Sequence, residues 1–288
     1  MKTWLITGVS RGLGGALAQA ALARGDTVIG TARSIDAVPR QGLKGSLHLL
    51  PLELTDATAI GATVERAFAL VPRIDVVVNN AGFGLVGPIE DASDDDVERL
   101  FAVNVLAPFR VIRAALPHLR AQGDGHIGNV TSVAAYAPVP ATGLYAGAKA
   151  ALEALSHSLA QEVEPFGIRV TAVAPGTMQT DFFSDHSLGR TKKPIGADYS
   201  ATVGVTIDKF DGFAGRQTSD PVRAAQAILA IVDACDPPRH LLLGSDALSR
   251  ATAAMDASRA ETAAWATFTR SSDAQSDEKV GDQVVARP

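Results

Sequence analysis

Short apolar runs alternate along the chain with stretches whose apolar positions recur every three or four residues. That alternation predicts strands and helices in strict succession. Residues 3–7 read as a first strand entering a glycine turn, 13–24 as a helix closed by Gly25, and 27–32 as a second strand. Residues 47–52 form the third strand, and Thr55 or Asp56 caps a helix running to about Leu70. Residues 74–79 form the fourth strand, whose three consecutive valines imply burial on both faces. Ser93, with Asp96 three positions on, starts a helix to about Leu119, bent near Pro108. Residues 126–131, 168–174 and 240–243 are the remaining strands. Helices fill 143–164, the stretch opened by Asp220 and Pro221, and 245–268.

This order predicts an α/β fold: one doubly wound domain over residues 1–270, with a seven-stranded, mostly parallel sheet and helices on both faces. The one long interruption is 177–219; a helix at 245–269 and a polar tail at 271–288 close the chain. The 288 residues are 47% hydrophobic and 20% charged, which excludes a disordered chain. A net charge of −5 argues against a dedicated nucleic-acid binder. No apolar run reaches the roughly 18 residues of a bilayer span, and the first residues read as a strand rather than a signal peptide. The expectation is a soluble, cytoplasmic protein without a membrane partner. The single cysteine, Cys235, cannot form an intramolecular disulfide and reads as a small packing residue. The histidines at 48, 118, 126, 157, 186 and 240 include no pair three or four apart on one helix, so no catalytic metal is expected.

The turn after the first strand reads Thr7-Gly8-Val9-Ser10-Arg11-Gly12-Leu13-Gly14. Glycines here let backbone approach a pyrophosphate, and the following helix offers free N–H groups and partial positive charge. The spacing is G-x-x-x-G-x-G, and glycines serving a tight turn alone would look the same. Tyr145 and Lys149 stand four apart on a helix and share a face. A tyrosine pKa near ~10 is high for acid–base work at neutral pH. A neighbouring ammonium favours the phenolate and is expected to lower it.

Taken in order, these segments resemble the short-chain dehydrogenase/reductase family over about residues 1–245. The glycine turn is similar to that family's cofactor loop. Asn79-Asn80-Ala81-Gly82, Asn104, Ser132, Tyr145-x-x-x-Lys149, Pro175-Gly176 and Thr180 follow at its positions. The resemblance implies a Rossmann-type fold and hydride transfer between a nicotinamide cofactor and a carbonyl or alcohol. In it Tyr145 is the general acid/base, and Lys149 also holds the nicotinamide ribose. Ser132 bonds the substrate oxygen, and Asn104 holds a relay water. Gly8, Ser10, Arg11, Gly12, Leu13, Gly14, Arg33, Glu53, Leu54, Asn79, Ala81, Gly82, Pro175, Gly176, Met178 and Thr180 would contact cofactor, with Gly82 equally able to be only a turn residue. Glu53 stands where the family commonly has Asp, which puts its adenine contact in doubt.

The end of the second strand, Gly30-Thr31-Ala32-Arg33-Ser34, carries no acid to bond a ribose 2′-hydroxyl. Arg33 and Arg11 instead suit a 2′-phosphate, so NADP(H) is expected over NAD(H); the bland reading is two surface arginines. Phe182, Phe183, Tyr199, Phe210 and Phe213 in the 177–219 segment suggest an apolar lid over an apolar carbonyl substrate, or aromatics that only pack the loop. Phe83, Tyr136 and Val139 are further pocket candidates. Lys192-Lys193 reads as a solvated turn sooner than a site for an anionic substrate. The long segment and the final helix resemble the hydroxysteroid-dehydrogenase-like members. Two rival readings stand beside the reductase: a non-catalytic NADP(H) sensor on the same fold, and a sugar-nucleotide epimerase. The epimerase's usual glycine spacing and longer C-terminal domain are missing. A homodimer or homotetramer through the helices at 94–119 and 143–164 is also expected. The second helix offers Ala146, Ala150, Ala154 and Ser158 for close approach, or packs them on its own sheet.

Overall fold

The computed structural model describes residues 1–38, 45–184, 187–212 and 217–274. Phe213, His186 and most of the 271–288 tail fall outside them. The sheet contains β1 (Thr3–Thr7), β2 (Thr27–Ala32), β3 (Leu47–Pro51), β4 (Val76–Asn79), β6 (Gly125–Val130), β7 (Ile168–Pro175) and β9 (His240–Leu243). Its order is β3-β2-β1-β4-β6-β7-β9, and every pairing is parallel rather than mostly so. Parallel neighbours need crossovers, and the crossovers put helices on both faces. On one face α1 (Gly12–Ala23) and α7 (Pro221–Asp233) close a core around Trp4, Ile6, Leu17, Val28 and Val78. On the other, α2 (Ala57–Ala69), α4 (Ala107–Gln122) and α5 (Gly143–Val163) pack on Leu5, Ile29, Val77, Ile127 and Val170. Consecutive valines 76–78 thus face alternate cores. The strand order reverses between β1 and β4, and the crevice at their carboxyl ends is where such sheets bind ligands.

Asp56, not Thr55, caps α2, accepting from the N–H groups of Thr58 and Ala59. The 94–119 segment is not one helix with a bend at Pro108. It comprises α3 (Asp94–Phe101), a wide π turn over Ala102–Leu106, and α4, which runs on to Gln122 through Pro117. Proline lacks the N–H that would meet the carbonyl four residues back, and its ring crowds that carbonyl. For Pro108 that residue is Asn104, so the chain widens one turn earlier than the proline itself. Asp94–Gln122 is also long and apolar enough, by length and composition, to cross a membrane. That corrects the reading that no stretch is. Val111, Ile112, Ala115 and Leu119 bury in the core between α4 and the sheet, as in a core helix.

The 177–219 segment is not structureless. Its β8 (Leu188–Arg190) pairs in parallel with β5 (Gly84–Val86), a strand with no clear pattern in the sequence, and α6 (Val205–Asp211) follows. Phe182, Phe183, Ile195, Tyr199 and Phe210 pack with Val86, Leu188, Val203 and Ile207 in a small core of their own. Lys193 pairs with Asp91 at 3.0 Å, which ties the segment to the body of the domain. The C-terminal helix is interrupted: α8 (Ser245–Ala264) ends before Trp265, and a short α9 (Ala266–Arg270) follows. Cys235 is exposed in the turn after α7 rather than packed, because that turn runs over the surface toward Pro237 and Pro238.

Candidate active site

The glycine turn is held from three sides. The N–H groups of Gly8 and Val9 bond the carbonyl of Thr31 at 2.9 and 3.1 Å. The Thr7 hydroxyl accepts from the N–H groups of Asn80 and Ala81 at 3.0 and 3.1 Å. The Asn80 amide donates to the carbonyls of Thr7 and Gly8 at 2.9 and 3.1 Å. Gly8 takes φ +75°, a left-handed backbone that side chains rarely adopt. A Cβ on Gly14 would lie 2.3 Å from both the Gly8 carbonyl oxygen and Asn80 Nδ2. The first turn of α1 has no side-chain cap and no acid, so its N–H groups suit an anion. Gly14→Ala is therefore expected to push the turn open, costing about 1–3 kcal/mol by overpacking and weakening the hold of the turn on a phosphate-bearing cofactor. Fluorescence titration with NADPH beside a thermal melt reads both effects.

The predicted cofactor contacts divide. Gly8, Gly12, Gly14, Ala81 and Gly82 belong to the turn and its neighbouring loop, a Cβ on Gly8 lying 2.8 Å from that of Ala81 and one on Gly12 lying 3.8 Å from Thr180 Cβ. Leu13 is buried and packs into the core. Arg11 and Arg33 are both exposed, and Arg11 donates to the Ser187 hydroxyl at 2.9 Å. Asn79 is buried, with its amide donating to Asn129 Oδ1 at 2.8 Å. The neighbouring Asn80, not singled out from the sequence, is the residue that clamps the turn. Glu53 folds back on Thr55, accepting from its N–H and hydroxyl at 3.2 and 3.1 Å. Leu54 packs in part against the α2–α4 core. Pro175 ends β7 and Gly176 follows it, but Met178 sends its side chain into the core.

At the carboxyl ends of β4 and β6 stand Asn104, Ser132, Tyr145 and Lys149. Asn104 is fully buried; its Oδ1 accepts from the N–H of Phe83 at 3.1 Å and its amide donates to the Phe83 carbonyl at 2.8 Å. A Cβ on Gly82 would meet Asn104 Oδ1 at 2.7 Å and Lys149 Nζ at 3.3 Å, so both face one spot. Lys149, only 4% exposed, donates to the Val130 carbonyl at 2.8 Å and sits 5.9 Å from the Tyr145 ring centre. Ser132 neighbours the Tyr145 hydroxyl closely enough to favour its ionised form, and the Ser132 hydroxyl accepts from the N–H of Ala134 at 3.1 Å. Behind them Asn129 donates to the Ser156 hydroxyl at 2.8 Å, tying β6 to α5. Asn129 had a signal in sequence: a polar side chain inside an apolar strand needs a partner.

The charges differ from the expectation for Tyr145. Burial pushes its phenol up to about 12, with Ser132 pulling only partly the other way. Burial pushes the Lys149 ammonium down to about 8. Desolvation disfavours each charged form and here outweighs their mutual attraction. The site therefore presents a protonated phenol beside an ammonium that is easily lost.

Phe182 stands over the site, its ring centre 5.7 Å from that of Tyr145 and edge-on to Phe183. Phe183, 5.5 Å from Phe210, belongs to the packing within the 177–219 segment. Phe83 lies under the Arg99 guanidinium. The Tyr136 hydroxyl donates to Glu153 at 2.6 Å.

The short chain dehydrogenase family matches residues 2–190. An oxidoreductase designated BOA17, from Botryotinia fuckeliana, is 36% identical over 267 residues, covering 92% of this chain and 96% of that protein. A short-chain dehydrogenase from Streptomyces avermitilis superposes with a TM-score of 0.87 at 36% identity, over 95% of this chain and 100% of that one. An alcohol dehydrogenase from Thermococcus sibiricus, solved with 5-hydroxy-NADP, gives a TM-score of 0.69 at 25% identity, over 85% of this chain and 97% of that one. With this fold, the clamped glycine turn and Ser132, Tyr145 and Lys149 gathered at the carboxyl end of the sheet, the chain belongs to the short-chain dehydrogenase/reductase family of oxidoreductases.

Proposed function

We propose that the protein interconverts a ketone or aldehyde and its alcohol by hydride transfer with NADP(H), with Tyr145 as the proton donor and acceptor. The observation that carries this reading is the gathering of Tyr145, Ser132 and a buried Lys149 at one spot, the Lys149 Nζ 5.9 Å from the Tyr145 ring centre, where burial favours the protonated phenol. The nicotinamide cofactor supplies the hydride when bound. Glycine-turn N–H groups and the first turn of α1 would hold its pyrophosphate, and Lys149 its ribose. Ser132 orients the substrate oxygen, Tyr145 gives it a proton, and the Lys149 charge stabilises the phenolate left behind. Arg33 and Arg11, with no acid at the end of β2, support a preference for the 2′-phosphate of NADP(H). Apolar Phe182 over Tyr145 supports a carbonyl with hydrophobic bulk.

The test is NADPH oxidation across aldehydes, small ketones, β-ketoesters and steroid-like ketones, repeated with NADH. Turnover with at least one carbonyl, faster with NADPH, is the expected result; equal affinity for the two cofactors would sink the preference. Reduction needs the Lys149 charge, which is present below its pKa and lost above it. kcat/KM for reduction is therefore expected to be level below about pH 8 and to fall about tenfold per unit above it. A profile flat to pH 10 would remove Lys149 from that role.

We also propose a homodimer across α4 and α5. A groove of about 720 Å³ between them is lined by Phe109, Ile112, Leu116, Leu155, Leu159 and Phe166, with Arg113, Arg120 and Glu162 beside them. Ala154 and Ser158 are exposed on α5, whereas Ala146 is buried. Two-fold pairing brings both charge signs to the same rim. Sedimentation of a monomer at micromolar concentration would refute it.

A further inference from the structure

Tyr136 and Glu153 make a link that the chemistry above does not use. The chain leaves Ser132 in a tight 3₁₀ turn over Val133–Ala135, and the N–H groups of Ala135 and Tyr136 bond the carbonyls of Ser132 and Val133. Ser132 and Tyr136 are thus ends of one stiff turn. At its far end the Tyr136 hydroxyl donates to Glu153 Oε1 at 2.6 Å. Glu153 lies on α5 one turn beyond Lys149 and two beyond Tyr145, and is 8% exposed. His240, at the start of β9, places Nδ1 2.5 Å from the same carboxylate oxygen and 3.1 Å from the Tyr136 hydroxyl oxygen. His240 Nε2 lies 3.0 Å from His157 Nδ1 on the next turn of α5, and the two rings stack.

A nearly buried carboxylate is costly, and Glu153 Oε2 meets no hydrogen-bond partner among the described residues. What the cost secures is a strong, charge-assisted tie between the Ser132 turn and the helix bearing Tyr145 and Lys149. Burial, with Glu153 beside it, keeps the Tyr136 phenol protonated, so it remains a donor throughout the working pH range. We propose that Glu153 is a positioning residue: through Tyr136, with His240 holding its carboxylate, it sets the Ser132 hydroxyl against Tyr145. This rests on the reading of Ser132 and Tyr145 as the reacting pair. Misplacement of a reacting group by about 1 Å costs up to about a hundredfold in rate.

Tyr136→Phe keeps the ring and removes the donated bond, while Glu153→Gln keeps the shape and an acceptor oxygen but takes away the charge that strengthens the tie, so the first breaks it and the second weakens it with little change of volume. With NADPH and the most rapidly reduced ketone of the panel, Tyr136→Phe is expected to lower kcat about tenfold and Glu153→Gln by a smaller factor, with the KM for NADPH unchanged in both. In a Ser132→Ala background neither should lower kcat further, because the group being positioned has gone. An unchanged kcat, or the full loss persisting without Ser132, overturns the inference. Amide hydrogen exchange in the NADPH complex gives a second readout that needs no substrate. Exchange at Ala134 to Ala137 should quicken in both variants while α5 stays protected; unaltered protection there also overturns it. Tyr145→Phe separates the two levels. Turnover surviving that change defeats the reading of the reacting pair, whereas turnover lost there but intact in Tyr136→Phe and Glu153→Gln defeats only the positioning role.

Discussion

Tyr145→Phe is expected to reduce turnover by about 10²–10⁴-fold, the usual contribution of a positioned proton donor. The change deletes one oxygen. The ring keeps its place against Phe182, and Lys149 keeps its bond to the Val130 carbonyl. NADPH binding, which the proposed function assigns to the glycine turn and Lys149, should therefore be preserved. At neutral pH the native phenol is protonated, since burial holds it near 12. A carbonyl oxygen receiving hydride becomes a strong base and takes that proton readily, and the ammonium 5.9 Å from the ring steadies the phenolate that results. Stopped-flow measurement of NADPH oxidation, beside a binding titration, separates the two effects. Loss of binding along with turnover would point to a structural role for the hydroxyl. The sensor reading makes the opposite forecast: a partner response surviving without the phenol oxygen.

A second large effect is expected far from the site. Asp26, 1% exposed, follows the turn that ends α1 and accepts from Trp4 Nε1 and the Lys2 N–H, each at 2.9 Å. It also pairs with Arg24 at 2.6 Å. Burial works against its charge, but the hydrogen bonds from Lys2, Arg24 and Trp4 outweigh that and hold its carboxyl below the usual range. Asp26→Ala leaves the indole and the Lys2 N–H without acceptors in a dry place. The expected cost is about 3–5 kcal/mol, the range for breaking a buried pair from one side. Arg24 retains Asp233 at 2.6 Å. That exposed pair is worth under about 1 kcal/mol, so Asp233→Ala serves as the contrast. Urea unfolding of both variants decides it: similar midpoints would mean that the Asp26 network contributes no more than a surface pair.

Much of the fold is legible in residue order. Valines 76–78 declare a strand buried on both faces, and Ser93 with Asp96 declares the start of α3. Such features depend on neighbours a few positions apart, so the local pattern suffices. Residues 240–243 read as a strand for the same reason, and the structure keeps those bounds. The wide turn at Asn104 was only half legible, since Pro108 advertises a break but not its position four residues earlier. β5 was hidden because three residues pair with a segment more than a hundred positions away, and no local period marks them.

The sequence by itself determined the order of the seven sheet strands, the glycine turn and the shared helix face of Tyr145 and Lys149, because spacing along one strand or helix decides which side chains share a face; Ser132 joined them only through the family resemblance. Only the tertiary structure decided that Asn80 rather than Asn79 clamps the turn, and that Tyr136 turns to Glu153 and His240. It also decided that burial raises the Tyr145 phenol and lowers the Lys149 ammonium. Those outcomes depend on dielectric surroundings and on partners brought together from distant strands, neither of which is encoded in any local run of residues.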